Sequence, residues 1–406
     1  MNFCFVTITY PTHHAREGAG LDTQQLARGV AQRGHTAHVV CVSADGYVAH
    51  ENDEGVSVSY VPPRKIPVRP ALRILAALPG LHDLKEAWCG WGLIETAYGA
   101  WRAVKRLHRQ QSFDVVQVID TGGLALFCGR SWKQHVPIII RGHGFVDPAL
   151  PGSQWCGAIF QQRLERAALQ RADFVAANSG YLRDIYCAHY GVLPDRAGVL
   201  YNGFELPARS ATRWDIRQLI GWGADDPIVL YVGRLEFMKG CDVLFTAMQQ
   251  ARQVQSNLRL VLLGETQPAF QDEYAAFMRA HGAWAWHPGN VPPAEVSRAL
   301  REATVLAHPS RKETFGRTLV EAQLHGVPVI GTKVGGVPEI VLDGETGLLV
   351  EAGQDRPLAQ ALLRLVQDRE FATHMGQRAQ ARAEQLFGLP GVIDREIALA
   401  QTLKSS

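Results

Sequence analysis

The chain has 406 residues, of which 47% are apolar and 20% are charged, so its length and composition predict two or three domains with sizeable cores. The 41 Lys and Arg residues against 39 Asp and Glu residues leave a net charge of +2, which excludes the strongly basic surface of a dedicated nucleic-acid binder. Seven scattered cysteines without a C-x-x-C pair disfavour a disulfide framework and a structural zinc site, and they predict reduced thiols in a cytoplasmic protein. No apolar run approaches the roughly 18 residues of a membrane span, and the N-terminus lacks the features of a signal peptide.

The first 200 residues predict strands that alternate with helices. Phe3–Thr9 is typical of a buried strand, His13–Gly20 of a glycine-containing loop, and Asp22–Gln32 of a helix. A strand over His38–Ser43 completes a βαβ unit, which implies a parallel sheet. The same alternation predicts strands over Val115–Ile119, Val136–Ile140 and Phe174–Ala177, and a helix over Gln161–Arg171.

The alternation starts again after a hinge-like stretch around Asn202–Pro207. It predicts strands over Ile228–Val232, Leu258–Leu263, Val305–His308 and Val327–Gly331, and helices over Cys241–Gln255, Asp272–His281 and Thr318–His325. We therefore predict the fold class α/β, with two doubly wound, Rossmann-like domains. Open sheets of this kind bind ligands at the carboxyl ends of their strands, so we expect the ligand in a cleft between the domains.

Residues 60–110 interrupt the alternation. This stretch carries nine Lys and Arg residues against three Asp and Glu residues, and tryptophans at positions 88, 91 and 101 are interleaved with them. A basic amphipathic region with tryptophans is typical of contact with anionic lipid or with an anionic acceptor. The alternative is a solvated helix face with its tryptophans in the core.

The residues that follow the predicted strand Val305–His308 form the densest polar cluster. A helix is expected to begin near Gly316, so the backbone N–H groups at its start form an anion site. Glu313 precedes this helix and Glu321 lies about one turn inside it. Carboxylates at this spacing can bracket a ligand with an anionic centre and hydroxyl groups at both ends, such as a nucleotide sugar, although two surface glutamates would have the same spacing.

A second cationic pair follows the first strand of the second half. Arg234 comes after the strand Ile228–Val232, and Lys239 precedes the next helix. An Arg at a strand end and a Lys at a helix start can together neutralise a diphosphate. Ordinary surface salt bridges to Glu236 or Asp242 are the alternative.

Taken together, these motifs resemble the family 4 glycosyltransferases. In the second half the resemblance rests on Gly233–Leu235 with Lys239 and Gly240, on Glu313-x7-Glu321 with Phe315 and Gly316, and on Gly331–Val350. In the first half it rests on the Gly18 loop, Arg141–Gly144, Asn178 with Ser179, and Leu200–Gly203. The likeness spans nearly the whole chain and is specific for the superfamily, but it does not identify the substrate.

The resemblance implies a GT-B fold with an acceptor-binding domain over 1–203, a nucleotide-sugar-binding domain over 204–385, and a C-terminal helix over 386–406 that returns to the first domain. It implies transfer of a hexosyl group from a UDP- or GDP-linked sugar, with retention of configuration and without a metal or other cofactor. The acceptor is expected to be a glycan or a lipid-linked molecule of the cell envelope. Residues 60–110 are the region expected to contact the inner face of the membrane.

The resemblance also implies roles for individual residues. Arg234 and Lys239 would stabilise the leaving diphosphate, and Glu321 would bind the ribose. Glu313 and His143 would contact the donor sugar, although a histidine between two glycines is also typical of a structural loop. The remaining donor-binding residues implied are Gly18, Phe315, Gly316, Arg317 and Thr318. Gly18 would permit close approach of the backbone to the phosphates, whereas Ala19 allows this only at negative φ.

Other functions remain open at this level. A dehydrogenase would need a G-x-G-x-x-G loop after the first strand, which is absent from the sequence. A phosphorylase would need a pyridoxal lysine, and the sequence distinguishes none. A nucleotide-sugar epimerase or hydrolase would release nucleotide without an acceptor, and a catalytically idle carbohydrate-binding scaffold would keep the fold alone.

Overall fold

The computed structural model describes residues 1–12, 18–66, 82–127, 136–145, 158–206 and 216–405, with side chains from Gly90 onward in the helix that begins at His82. Most of the predicted loop His13–Gly20 lies outside the described residues. In the basic stretch, Arg69 and Arg73 also lie outside them, and the side chains of Lys85 and Trp88 are not described. The chain divides into two compact units. The first comprises Met1–Gly203 and Leu389–Ser406, and the second comprises Phe204–Gly388, slightly beyond the end expected at 385.

The first unit contains an eight-stranded sheet. Its strands are β1 (Asn2–Thr7), β2 (Thr36–Val42), β3 (Ala49–Asp53), β4 (Val56–Val61), β5 (Val115–Ile119), β6 (Ile138–Gly142), β7 (Phe174–Ala177) and β8 (Ala197–Val199). They lie in the order β3-β4-β2-β1-β5-β6-β7-β8, and only β3 and β4 pair antiparallel. The order of strands reverses between β1 and β5, and this reversal creates a crevice at their carboxyl ends.

Helices flank this sheet: α1 (Gly18–Gln32), α2 (His82–Gln110), α3 (Ala158–Leu169), α4 (Gly180–Tyr190) and the C-terminal helix (Leu389–Ser405). Helix α1 begins at Gly18, four positions before the predicted start, because the loop glycines are part of its first turn. The C-terminal helix packs so closely on α1 that a Cβ atom on Gly29 would lie 1.9 Å from Cδ1 of Ile393. Arg33 and Asp394 form an ion pair of 2.7 Å beside this contact.

The second unit contains a six-stranded parallel sheet. Its strands are β9 (Ile228–Val232), β10 (Arg259–Leu263), β11 (Ala285–Gly289), β12 (Val305–His308), β13 (Val329–Thr332) and β14 (Leu348–Val350). Their order is β11-β10-β9-β12-β13-β14, so the reversal lies between β9 and β12. The helices are α5 (Ile216–Ile220), α6 (Cys241–Val254), α7 (Gln271–His281), α8 (Pro293–Glu302), α9 (Arg317–Leu324), α10 (Val337–Ile340), α11 (Asp355–Gln367) and α12 (Arg369–Phe387).

The predicted α/β class with two doubly wound sheets is confirmed. The hairpin of β3 and β4 was not predicted: β3 is mostly polar, and the alternating run Val-Ser-Val-Ser-Tyr-Val of β4 was not assigned as a strand. The strand β4 (Val56–Val61) ends at the start of the basic stretch, and His82–Gln110 within it is one long helix, with Trp101 buried in the core. No helix within the described ranges is both long enough and apolar enough to cross a bilayer.

Candidate functional site

The loops after β9 and β10 meet at the carboxyl edge of the second sheet, beside the crevice between β9 and β12. Gly233 follows β9 with φ of +151°, and its N–H donates to the carbonyl of Leu263 at 2.9 Å. A Cβ atom on Gly264 would lie 2.0 Å from the carbonyl oxygen of Gly233. Both positions therefore require glycine, and the two backbones are in direct contact where the strands end.

A second glycine contact joins the loop after β12 to the start of α6. Gly240 has φ of +71°, and a Cβ atom on it would lie 2.0 Å from the carbonyl oxygen of Pro309. The N–H of Arg311 donates to the carbonyl of Met238 at 2.9 Å. These backbone contacts bring Lys239 beside Glu313.

Lys239 and Glu313 form the centre of a polar cluster. Nζ of Lys239 lies 2.7 Å from Oε2 of Glu313, and Nε2 of His308 lies 3.1 Å from the same oxygen. Oγ of Ser310 lies 3.1 Å from Nε2 of His308, so two oxygens surround the imidazole nitrogen. Burial favours the neutral acid, but the hydrogen bond from His308 and the charge of Lys239 outweigh it, and the pKa of Glu313 lies well below its usual value. Glu313 is therefore an anion at neutral pH.

Arg234 lies at the surface beside this cluster. Its side chain is 61% exposed and pairs with Glu236 at 3.1 Å, as the alternative interpretation of this residue expected. Its carbonyl accepts a hydrogen bond of 2.6 Å from the hydroxyl of Tyr231, which fixes the backbone. An exposed ion pair of this kind is worth at most about 1 kcal/mol, so the guanidinium can exchange Glu236 for another anion at little cost.

Arg234 also lines a cavity of about 230 Å³ at the ends of β9 and β10. The other lining residues are Val232, Gly233, Leu263, Gly264, Glu265, Asn290, Val291 and Val296. The cavity combines apolar side chains, an amide and backbone groups, which suits a flat heterocycle.

Helix α9 begins directly after Gly316, which has φ of +106°. Oγ1 of Thr318 lies 3.5 Å from the carbonyl oxygen of Val232, so the start of the helix is fixed at the end of β9. The guanidinium of Arg317 lies over the ring of Phe204 at 4.6 Å and lies 4.0 Å from Glu321. Desolvation raises the pKa of Glu321 although the charge of Arg317 opposes it.

The side chain of Phe315 is not available for ligand binding. It is 2% exposed, and its ring stacks on Phe204 at 6.2 Å and meets Phe387 edge-on at 5.7 Å. The ring therefore belongs to the core, because burial of a large aromatic residue is strongly favourable and its neighbours there are aromatic. The sequence-based assignment of Phe315 to the donor site stays a prediction, and it can concern only the backbone of this residue.

In the first unit, His143 lies in a turn that Asp120 holds. Oδ2 of Asp120 accepts hydrogen bonds from the N–H groups of His143 at 3.0 Å and Gly144 at 3.1 Å, and from the hydroxyl of Tyr186 at 2.5 Å. Burial raises the pKa of Tyr186 well above its usual value, and the adjacent Asp120 adds to this effect. The turn at the end of β6 is thus fixed at its backbone, with the imidazole 14% exposed.

Below this turn lies a buried charge cluster. The guanidinium of Arg141 lies 3.5 Å from Asp22 on α1 and 3.4 Å from Glu396 on the C-terminal helix, and it donates to the carbonyl of Tyr201 at 2.8 Å. The three charged side chains are each at most 1% exposed. Burial raises the pKa of Glu396 to about 7, and Asp22 adds to this effect while Arg141 opposes it. Arg141 is therefore a structural residue that joins three segments of the first unit.

Gly18 is exposed at the first position of α1, and Gly20 is the glycine of this turn that packing requires. A Cβ atom on Gly20 would lie 2.7 Å from Oγ1 and 2.9 Å from the carbonyl oxygen of Thr9. Glu54 is the one residue other than glycine with positive φ in the described part of the chain, so Ala19 meets the condition of negative φ. Gly20 was not among the predicted site residues, and a close approach between a helix and a strand leaves no local signal in the sequence.

The crevice of the first unit contains a cavity of about 410 Å³. Ile8 and Thr9 line it after β1, and Thr121 and Gly122 line it after β5. Val42, Ala44, Asp45, Leu93, Thr96 and Leu124 complete its lining. Its apolar wall carries three threonines and an aspartate that can orient a hydroxylated ligand.

The structure thus brings together Lys239 and Glu313, and it positions Arg234 and the Gly316–Thr318 segment at the same crevice of the second unit. His308 and Asp120 were missed. Each lies at or directly after the carboxyl end of a strand, which is the signal that could have identified them. Among the described residues, no group of three or more His, Cys, Asp or Glu side chains is arranged to hold a metal ion.

Comparison with known families accounts for most of the chain. Residues 17–206 match the model of Glycosyltransferase Family 4, and residues 212–382 match the model of Glycosyl transferases group 1. The D-inositol 3-phosphate glycosyltransferase of Corynebacterium glutamicum is 32% identical over 231 residues, which cover 54% of this chain and 55% of that protein. D-inositol 3-phosphate glycosyltransferase 1 of Catenulispora acidiphila is 31% identical over 278 residues, which cover 65% of this chain and 66% of that protein. The chain therefore spans about half to two thirds of these curated relatives.

Solved structures show the same architecture. Anabaena Alr3699/HepE in complex with UDP superposes with a TM-score of 0.74 at 21% identity, and the match covers 100% of both chains. Sucrose-phosphate synthase from Thermosynechococcus elongatus superposes with a TM-score of 0.77 at 21% identity, again over 100% of both chains. The two Rossmann-like units are those of the GT-B fold.

Proposed function

We propose that this glycosyltransferase, whose halves match the models of Glycosyltransferase Family 4 and of Glycosyl transferases group 1, transfers a hexosyl group from a nucleoside-diphosphate sugar to a hydroxyl acceptor, with retention of configuration. The observation that carries this proposal is the ion pair of Lys239 and Glu313 at the crevice between β9 and β12, beside the start of α9. A cation, an ionised carboxylate and free helical N–H groups within one crevice suit a ligand with a diphosphate and a polyhydroxylated ring.

Negative charge develops on the diphosphate as the glycosidic bond breaks. Arg234 can leave Glu236 for the diphosphate, and Lys239 provides a second cation. The backbone N–H groups at the start of α9 carry the positive end of the helix dipole. Groups held in place before the reaction stabilise the transition state more than the ground state, and one such donor is worth about 3 kcal/mol. In this proposal the three elements together stand in for a divalent cation.

Glu313 is proposed to accept hydrogen bonds from hydroxyl groups of the donor sugar. Its low pKa supports this role, because an ionised carboxylate accepts hydrogen bonds with both oxygens. Lys239 and His308 both contact Oε2, so Oε1 is the oxygen proposed for the sugar. His143 in the first unit is the second residue proposed to contact the donor sugar, on the strength of the family resemblance.

The nucleotide end of the donor is proposed to occupy the cavity of about 230 Å³ that Arg234 lines. Glu321, one turn inside α9, is proposed to bind the ribose hydroxyls. UDP is the first nucleotide to test because the solved complex of Anabaena Alr3699/HepE contains it. GDP remains the alternative from the sequence.

The acceptor is proposed to bind in the first unit, in the cavity of about 410 Å³ at the ends of β1 and β5. Asp45 and Thr9 supply polar groups there that can orient an acceptor hydroxyl. A glycan or lipid-linked acceptor of the cell envelope is the class we propose, with the reaction on the cytoplasmic side of the membrane. Inositol 3-phosphate belongs in the test panel because the curated relatives carry it in their name.

Thermal unfolding with UDP, GDP, ADP and NAD in turn tests the donor site. Each ligand is present at about 100 times an expected dissociation constant, at which specific binding stabilises by about 2.7 kcal/mol. We expect one nucleoside diphosphate to raise the midpoint of the wild type and not that of the variant Arg234→Ala/Lys239→Ala. A rise of the midpoint with NAD alone, or the absence of a rise with any of the four ligands, contradicts the donor site.

An acceptor screen with the stabilising nucleotide sugar tests transfer itself. We expect product only when an acceptor is present. NMR should show that the product keeps the anomeric configuration of the donor, and EDTA should leave the activity unchanged. Release of nucleotide at the same rate without any acceptor would assign a hydrolase or an epimerase instead, and loss of activity in EDTA would contradict metal independence.

A further inference from the structure

A basic groove of about 860 Å³ lies in the first unit, outside both cavities already described. One wall is the second half of α2, and the other is the chain that leaves β4 at Pro62. Six cationic side chains line it: Arg64, Lys65, Arg102, Lys105, Arg106 and Arg109. No Asp or Glu belongs to the lining among the described residues.

The cations on α2 are concentrated on one face of the helix. Arg102, Lys105, Arg106 and Arg109 lie at positions i, i+3, i+4 and i+7, which are neighbours on a helix surface. Like charges at these spacings repel one another and destabilise the helix. Packing alone gives no reason for this arrangement.

These cations also lack carboxylate partners. Within the described part of the chain, none of the six groove cations lies within 4 Å of a carboxylate oxygen. Other arginines of the same unit are paired, for example Arg28 with Asp53 and Glu54, and Arg33 with Asp394. Among the described residues, the groove therefore concentrates positive charge that no carboxylate pairs with.

The two walls of the groove are held together before any ligand binds. Glu95 on α2 accepts hydrogen bonds from the N–H of Arg64 at its carbonyl (3.0 Å) and from the N–H of Ile66 at its carboxylate (3.1 Å). A Cβ atom on Gly99 would lie 2.9 Å from the carbonyl oxygen of Pro62, so the chain lies directly on the helix. The buried Trp101 lies at the base of the groove. A cationic groove whose walls are already held in place loses little conformational entropy when it binds an anion.

We propose that this groove is a second binding site, for a ligand that carries several phosphate groups. Arginine forks bind phosphate oxygens in pairs, and four of the six cations are arginines. The volume accommodates several phosphates at once, and the absence of acidic lining residues among those described removes the repulsion that an anion would meet. The phosphates can belong to a lipid headgroup or to a soluble polyphosphorylated molecule. The site is separate from the donor crevice of the second unit, so this proposal does not depend on the proposed function.

Titration calorimetry with inorganic tripolyphosphate at low salt tests the site. We expect binding that weakens as the salt concentration rises, because screening acts on exposed charges. The variant Arg102→Gln/Arg109→Gln is expected to bind about tenfold more weakly, since two exposed charge contacts are lost. The matched control Arg163→Gln/Arg196→Gln changes two exposed arginines of the same unit that lie outside the groove and should bind like the wild type.

Two further measurements separate the possible results. The thermal midpoint of Arg102→Gln/Arg109→Gln should equal or exceed that of the wild type, because like-charge repulsion is relieved, and its response to UDP should be unchanged. Sedimentation with vesicles of phosphatidylcholine, with and without phosphatidylglycerol, identifies the source of the phosphate. Pelleting with the anionic vesicles that tripolyphosphate reverses supports a lipid headgroup, whereas tripolyphosphate binding without pelleting supports a soluble ligand. The proposal is overturned if the protein binds neither tripolyphosphate nor the anionic vesicles. It is also overturned if the control variant loses as much affinity for tripolyphosphate as Arg102→Gln/Arg109→Gln.

Discussion

Nζ of Lys239 lies 2.7 Å from Oε2 of Glu313, although the two residues are 74 positions apart in the chain. The contact exists because β9 and β12 are neighbours in the sheet, so the segments that follow them meet at one crevice. Lys239 and His308 together keep Glu313 ionised, and this charge is the basis of the role proposed for it.

Replacement of the carboxylate tests that role directly. Glu313→Gln keeps the size of the side chain and removes its charge, so we expect kcat/KM for transfer to fall about 100-fold, or about 3 kcal/mol. UDP should still raise the thermal midpoint, because Arg234 and Lys239 remain. Glu345→Gln is the control, since Glu345 is exposed on the same unit. An unchanged kcat/KM in Glu313→Gln would remove Glu313 from the site.

The stability of the protein should depend on pH through Glu313 with a defined sign. Its folded pKa lies below its unfolded value of 4.5, so its stabilising contribution is present above pH 4.5 and is lost as the pH falls through the folded pKa. The difference in free energy of unfolding between the wild type and Glu313→Gln should therefore shrink from pH 7 towards acid. Urea unfolding over this range measures it, and a difference that grows in acid contradicts the assignment.

Glu396 should show the opposite sign. Its folded pKa is raised to about 7 from 4.5, so its contribution is present below pH 4.5 and is lost as the pH rises through 7. Burial is the main reason for the raised pKa; the nearby Asp22 adds to it, and Arg141 opposes it. As the pH rises from 5 to 8, the free energy of unfolding of the wild type should fall by up to about 3 kcal/mol relative to that of Glu396→Gln. Equal pH profiles would contradict the raised pKa.

The two backbones that meet at Gly240 tolerate no side chain. Gly240→Ala should destabilise the second unit by about 3 kcal/mol or more, because the new Cβ would lie 2.0 Å from the carbonyl of Pro309 and φ is +71°. Gly344→Ala is a matched control with φ of +78° and open space around it. Its free energy of unfolding should fall by only about 1 kcal/mol, from the strain of the backbone alone. Urea unfolding compares the two, and equal losses would mean that Pro309 moves away freely.

Replacement of Phe315 tests whether its ring contributes to the donor site. Phe315→Ala should reduce the free energy of unfolding by about 3 to 5 kcal/mol, since a ring that is 2% exposed is removed from between Phe204 and Phe387. Phe315→Leu fills part of the space and should fold if the alanine variant does not. In whichever variant folds, the dissociation constant for UDP should equal that of the wild type. A tenfold weaker affinity in a folded variant would return Phe315 to the donor site.

The turn that carries His143 depends on Tyr186. Tyr186→Phe removes a buried hydroxyl that contacts the charged Asp120, so we expect a loss of about 1.5 to 3 kcal/mol. Tyr47→Phe, whose hydroxyl donates to Glu51 near the surface, should lose much less stability than Tyr186→Phe. His143→Ala should lower the rate of transfer and leave the free energy of unfolding unchanged. This result would distinguish a contact with the sugar from a role in the fold.

The amino-acid sequence by itself determined the alternation of strands and helices and therefore the doubly wound class. Most predicted strands lie within one or two residues of those observed, because buried parallel strands are short apolar runs bounded by glycine and polar residues. The sequence also identified the charged residues and glycines that follow β9 and β12. These signals are local, so a linear pattern carries them.

The tertiary structure alone decided which of those residues meet. Strand order placed Lys239 on Glu313 and added His308, and the packing of the C-terminal helix brought Glu396 to Arg141 across 255 positions. It also placed Phe315 in the core and gathered Arg102, Lys105, Arg106 and Arg109 in a groove where no carboxylate of the described residues pairs with them. Contacts between distant segments depend on sheet order and on the shapes of packed side chains, and neither has a periodicity that can be read from the sequence.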